Sequence, residues 1–389
     1  MSDFVIDSVG PDRGPEIRRL MDLAFNDPRP FDPDEPRFDE GRVVGAFDGD
    51  RLLGTVMTYE FSQVFGGREV PCGGVAGVTV APDARGRDLA RRMLAESFVR
   101  MRDRGEVVSS LYPTTSLLYG GLGYGVAGEF AHRRVPLGAI GPAQPLAWSE
   151  CDFGCHEMRE IQRSEAARRD GWVLPSSSWW DHQTWRRSGP PSDRVFSWLG
   201  RRDDEPVAVV VYTYGEHERT LYDLRVQLLA GVDAPAVRSA LSFLASNGST
   251  AESLDTTVPG PILDITLARP ELAKVESDWP WMLRIIDLEG AIAARGYPSG
   301  AVTIDLDVTD HVIDHNLGAW TLRVDEGVGS VVRGGDATVS VDIADLARIY
   351  AGADPRLLHS DGRLEGITSP QLDQLAGAFA TRATLPIFF

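Results

Sequence analysis

Lysine is nearly absent from the chain: Lys274 is the only one among 389 residues, and only three cysteines accompany it. Positive charge therefore rests on arginine, and 39 Lys+Arg against 57 Asp+Glu leave a formal net charge of −18. So acidic a chain lacks the basic stripe that nucleic acid or an anionic membrane requires, and it favours a cationic small molecule or basic peptide as partner. Cys72, Cys151 and Cys155 cannot make an even disulfide framework, and the Cys151/Cys155 pair, with His156 beside it, has no second half-site for a metal. They read as reduced thiols. No run approaches the ~18 apolar residues of a membrane-spanning helix, and the opening MSDFVIDSVGPDRGPEIRRL has neither the basic nor the apolar stretch of a secretory signal. A cytoplasmic protein with no metal and no membrane span is expected.

What is present is an ordinary globular composition, 43% hydrophobic and 25% charged, long enough for two or three domains at roughly 100 to 200 residues each. Residues 1–140 alternate strand and helix patterns as a mixed α/β unit, interrupted by NDPRPFDPDEPRF, whose four prolines exclude regular structure. The Gly/Pro-rich LGAIGPAQPLAW closes it. Residues 141–283 loosely repeat the order of elements. The aromatic run SSSWWDHQTW, with Trp179, Trp180 and Trp185, reads there as a helix packed between units. Residues 284–389 read as a compact α+β unit: an amphipathic helix, MLRIIDLEGAIAARGY, then three strand patterns, the third running into a helix. The histidines, His132, His156, His182 and His311 among them, form no catalytic pattern and take no role.

Two stretches carry chemistry. In GVTVAPDARGRDLARRML a strand delivers the chain to Pro82, a basic glycine-bearing turn follows, and a helix starts near Asp88. Backbone N–H groups at such a helix start, with Arg85, Arg87 and Arg91 around them, form a cradle for phosphates. In YPTTSLLYGGLGYGVAG, Tyr119 and Tyr124 sit in a Y-G-x-x-G-Y-G frame whose glycines let the backbone approach a ligand, and a phenol can return a proton to a thiolate leaving group. Tyr124 fits a packed, structural role better than Tyr119.

The first stretch resembles the acetyl-CoA loop of GNAT acetyltransferases, R/Q-x-x-G-x-G/A after a strand ending V-x-P. Arg85 and Ala90 match, while Asp88 stands at the central glycine. With the tyrosine frame, the three-unit length and the final TLPIFF, the whole chain resembles the enhanced intracellular survival (Eis) family. That resemblance implies two GNAT-like domains, the second without a CoA loop, followed by a sterol-carrier-protein-like domain, in a hexamer. It implies that Val78, Thr79 and Val80 splay from the neighbouring strand to meet the pantetheine arm with Thr114 and Thr115. Gly86, Arg87, Asp88, Leu89, Ala90 and Arg91 would then hold the pyrophosphate. By the same resemblance Tyr119 is the general acid, the carboxylate of Phe389 the general base, and the loop after α-helical Phe25 the acceptor region, where Phe25 and Asp27 would touch an amine. Phe388 and small Gly77 would make the pocket less anionic or differently shaped than one built for polycations. The function expected is transfer of acetyl from acetyl-CoA to an amine in a ternary complex. A lipid-binding protein and an enzyme for bulkier acyl-CoA are the alternatives.

Overall fold

The computed structural model describes residues 4–26, 32, 33, 35, 38, 39, 41–187, 195–215 and 221–389, the side chains of 184–187 excepted. The opening alternation becomes β1 (Val5–Ser8), α1 (Gly14–Phe25), β2 (Val43–Asp48), β3 (Arg51–Phe65), β4 (Arg68–Val80), α2 (Leu89–Asp103), β5 (Val108–Leu111), α3 (Ser116–Gly120) and β6 (Gly125–Pro136). α1 stops where Asn26 turns left-handed and donates its N–H back to Asp22, a helix ending that asparagine tolerates. β2, β3 and β4 are an antiparallel meander, and β4 then runs parallel to β5.

The next stretch supplies β7 (Ala147–Glu150), α4 (His156–Ala166), β8 (Val173–Pro175), α5 (Ser177–Arg187), β9 (Phe196–Arg202), β10 (Glu205–Tyr214) and β11 (Tyr222–Gly231). After it come α6 (Ala234–Ala245), β12 (Ala251–Thr256), α7 (Gly260–Thr266) and β13 (Lys274–Ile285). All of these strands join the first group in one sheet, in the order β1-β2-β3-β4-β5-β13-β6-β12-β11-β10-β9-β7, with β8 beside β3. β13, last in sequence, lies in the middle: Leu283 pairs with Ser110 of β5 on one side and Gly125 of β6 on the other. The expected helix from Met282 to Tyr297 is therefore wrong in its first half. Trp281 to Ile286 is a continuous buried run, as a strand covered on both faces must be, and a helical period cannot be told from it in so short a window.

The last part comprises α8 (Leu288–Ala294), β14 (Val302–Thr309), β15 (Gly318–Asp325), β16 (Val328–Arg333), β17 (Val339–Asp342), α9 (Ile343–Tyr350), α10 (Pro355–Ser360), β18 (Leu364–Glu365) and α11 (Ser369–Ala378). Its sheet runs β16-β15-β14-β17-β18. Asp287 and Asp342 cap α8 and α9 by accepting from Gly290 and Ala344 N–H, so both helices start where the sequence places an Asx residue. One buried pair docks this sheet on the larger one. Arg284 of β13, with no accessible surface, donates to both carboxylate oxygens of Asp310 at 2.6 and 2.7 Å, and Asp310 also accepts from Val312 N, Ile313 N and Asn316 Nδ2. Removing one member of so deep a pair costs about 3 to 5 kcal/mol, because the other is left charged and unmatched. Among the described residues no helix is long and apolar enough to cross a membrane.

Candidate active site

Between α1, β3, β4 and the chain end lies a cavity of about 990 Å³, within the usual size of a small-molecule site. Tyr119, Thr114, Val78, Gly77, Phe25, Phe388 and Phe389 all line it, so residues spread from one end of the chain to the other converge there. Thr79, Val80, Thr115 and the whole Arg85 to Arg91 turn do not. Asp27 lies outside the described residues.

Tyr119 closes α3 and is almost wholly buried. Burial pushes its phenol above the ordinary range near 10, partly offset by a hydrogen bond with the Thr114 side chain, so the proton is firmly held at neutral pH. Tyr124 is structural: it is fully buried and bonds Ser109 Oγ at 2.8 Å, while Ser109 donates to Gly73 O. Two glycines of this frame correct the sequence reading. Gly123, at φ +83°, would drive a Cβ into the Arg284 guanidinium, and a Cβ on Gly125 would meet the Ala344 carbonyl of α9. They admit the third unit to the back of the tyrosine loop, and no ligand approach is needed to explain them.

The tail is irregular after α11, yet it is held at every step. Thr384 N donates to Asp170 O at 3.0 Å, Trp172 Nε1 donates to Thr384 Oγ1 at 3.0 Å, and Thr257 Oγ1 donates to Pro386 O at 2.9 Å. The Tyr112 hydroxyl has one proton to share between the carbonyls of Leu385 (3.1 Å) and Ile387 (2.7 Å). Leu385 is buried. Phe389 then stands edge-on to Phe61, with ring centroids 4.9 Å apart, above Gly74, where an added Cβ would collide with the Phe61 ring and reach Phe389 Cε2 at 3.1 Å. Phe388 stacks on Tyr112 at 5.0 Å but stays 59% exposed.

On the other side of Tyr119, β4 pairs with β5 only from Cys72 to Gly74, and beyond that point the strands share no register, which leaves the Val75 to Val80 edge unpaired on that side. Thr79 turns its hydroxyl to Thr55 Oγ1 at 2.8 Å, so only its backbone remains for a ligand. Gly77 sits at φ +53° in a β-bulge opposite Met57, and a Cβ there would press on the Met57 thioether. Its small size answers a backbone requirement, which weakens its reading as a pocket enlarger.

In the basic turn Gly86 adopts φ +77° with open space around it, Arg85 and Arg87 are exposed, Leu89 is core, and Ala90 is half-buried. Asp88 takes φ +60°, the left-handed conformation that glycine would adopt freely, and it makes no side-chain cap. Its carboxylate lies 3.4 Å from Arg91 Nε, and Arg91 Nη1 also donates to Gly121 O at 2.9 Å, tying the turn to the tyrosine loop. The first N–H groups of the fifteen-residue α2 thus remain uncapped by side chains.

An acetyltransferase (GNAT) domain model matches residues 6–127, and a sterol carrier protein domain model matches residues 288–386. The chain is 29% identical over 358 residues to an uncharacterized N-acetyltransferase of Streptomyces griseus, with 84% of each chain covered. It is 27% identical over 364 residues to the N-acetyltransferase Eis of Mycobacterium tuberculosis, with 88% and 87% covered. A GCN5-related N-acetyltransferase structure from Anabaena variabilis superposes over the whole of both chains with a TM-score of 0.90 at 24% identity, which bears on the fold. Residues 6–127 are thus a GNAT acetyltransferase domain, in a chain similar over most of its length to N-acetyltransferases of the Eis type.

Sequence reasoning passed over four residues of this candidate site. Tyr112 latches the tail, Gly74 makes room for its last ring, and Glu35 and His182 form a polar wall. Glu35 receives Arg18 Nη2 at 2.5 and 2.6 Å and faces His182 Nε2 at 3.3 Å, while His182 Nδ1 stands 3.1 Å from the Tyr59 hydroxyl. Histidine 182 was set aside because it belongs to no motif, and nothing local betrays it: the two partners are 147 positions apart. Trp179 and Trp180 do pack in the core, as a helix between units should. The Trp185 side chain lies outside the described residues.

Proposed function

We propose that the chain transfers acetyl from acetyl-CoA to a primary amine by direct attack in a ternary complex, with Tyr119 as general acid and the carboxylate of Phe389 as general base. The observation that supports this most is convergence: a buried phenol and the last residue of the chain line one cavity, beside a strand edge that has lost its partner. The residues present fit the cosubstrate. Uncapped N–H groups at the start of α2, with exposed Arg85 and Arg87, suit a pyrophosphate, and the free edge of β4 at Val78 to Val80 suits an amide-bearing arm. When bound, acetyl-CoA would supply the acyl group as a thioester.

The chain's own residues do the rest. An amine is mostly ammonium at neutral pH, so it must shed a proton before it attacks, and the Phe389 carboxylate takes that proton directly or through water. The Phe389 ring rests against Phe61 and Tyr112, with centroids 4.9 and 5.4 Å away, which supports the placing of the chain end in an apolar setting. Tyr119 keeps its proton for the departing thiolate, whereas Tyr112, the other cavity phenol that burial pushes up, spends its proton on the tail carbonyls. Asp88 need not repel a phosphate, since Arg91 lies against its carboxylate. Carboxylates of Asp32, Glu35 and Asp39 on the cavity wall, with the acidic chain as a whole, favour a cationic acceptor. A cytoplasmic, hexameric enzyme is the setting this reading carries with it.

Release of free thiol from acetyl-CoA across a panel of polyamines, lysine peptides and aminocyclitols tests the function. Turnover with at least one amine is expected; no thiol release with any of them would overturn it.

A further inference from the structure

Among the described residues of 141–283, His182 alone is found on the cavity wall, and it does not act alone. Ser178 precedes it by four positions on α5, a spacing that puts both side chains on one helix face. Both reach the same stretch of the first unit: Ser178 Oγ donates to Asp39 Oδ2 at 3.1 Å, and His182 meets Glu35. Between them Phe38 packs on Tyr59 and on the His182 ring, with centroids 4.8 and 5.8 Å away.

The protons can be placed from the partners. Burial pushes the Glu35 carboxyl up, but the bonds from His182 and Arg18 outweigh it and hold the group below the usual range, as a carboxylate that only accepts. His182 Nε2 therefore carries the proton toward Glu35, and in the neutral ring Nδ1 accepts from the Tyr59 hydroxyl. Tyr59 continues the contact inward by stacking on Phe61, the ring against which Phe389 rests.

We propose that His182 is a positioning residue for the acceptor: with Ser178 it clasps the segment bearing Glu35 and Asp39 onto the second unit and thereby shapes the acceptor end of the cavity. This rests on the reading of that cavity as the acceptor site. The second unit then sets acceptor selectivity, though its sequence carries no cosubstrate loop. The donor turn at Arg85 to Ala90 shares no residue with the clasp, so acetyl-CoA should not sense it.

The test uses the full chain, acetyl-CoA, and spermidine or an N-acetyl-lysine amide, whichever is turned over. His182→Leu is expected to raise the acceptor KM by roughly 10- to 100-fold, the range for losing a hydrogen bond to a charged group, with the acetyl-CoA KM little changed. His182→Gln, whose amide can still donate to Glu35, should recover most of that loss. Independently of turnover, backbone hydrogen exchange of the peptide containing Glu35 and Asp39 should accelerate in His182→Leu and return toward wild type in His182→Gln. Unchanged exchange together with unchanged acceptor KM would overturn the clasp, as would a parallel loss of both substrates' affinities with a lowered Tm. If the wild type acetylates neither amine, whichever amine of the wider panel it does turn over takes their place; if it turns over none, the functional reading fails on its own, and the exchange measurement still decides the clasp.

Discussion

The two ends of the proposed active site, one assigned to the donor and one to the acceptor, are built on opposite plans. The donor end is contiguous: a strand, a basic turn and a helix lie within residues 77–94, exposed, and their shape follows from local backbone preferences. The acceptor end is assembled from α1, β3, β4, α5 and the tail, and its contacts join residues 123, 147 and 275 positions apart. A change at the donor end should act locally and gradually. At the acceptor end each group rests on others, so small changes should travel to the chemistry.

The largest effect is expected where the two ends meet. Tyr119→Phe removes the phenol proton and should lower kcat by ~10²-fold or more with little change in either KM; near-normal kcat would remove Tyr119 from the acid role. The sign of its pKa shift adds a pH prediction. An acid must be protonated to act, and burial raises this phenol above its ordinary value near 10, so no alkaline fall in kcat from Tyr119 is expected below that pH.

Next comes Gly74→Ala, which inserts a methyl group under Phe61 and Phe389. A displaced tail should lower kcat by roughly tenfold while sparing the acetyl-CoA KM, since misplacement of an ångström at a reacting group is already costly. Equal loss in both parameters, with a large fall in Tm, would instead mean that the sheet itself had been disturbed. The smallest effect is expected from Asp88→Gly. It relieves a left-handed non-glycine residue worth about 1 kcal/mol of strain and withdraws an acid from the basic turn, so the acetyl-CoA KM should fall a few-fold while the acceptor KM stays put. A raised acetyl-CoA KM would show that Asp88 helps to hold the turn.

How much of this was legible in the sequence follows the same divide. The donor turn, Tyr119 and the three-part order of the chain could be read because each depends on neighbours in sequence. The terminal Phe-Phe pair was legible only through family resemblance, and the bonds that seat it, from Tyr112, Thr257 and Trp172, were not. β13 was misread as the start of a helix because a strand buried on both faces has no period to display. Gly77, Gly123 and Gly125 were assigned to ligand access, whereas a bulge and the approach of α9 explain them; only packing distinguishes such causes. His182 and Glu35 illustrate the limit: neither residue stands in a pattern, and their meaning arises when α5 is laid across the first unit.

The central claim is that the chain end acts as the base, and a semisynthetic protein ending in Phe389 carboxamide tests it most directly. The amide keeps both rings and every tail hydrogen bond described above but cannot accept a proton at neutral pH. The account predicts a loss of kcat of ~10²-fold or more, with acetyl-CoA affinity and Tm preserved. Full activity from the carboxamide would contradict it.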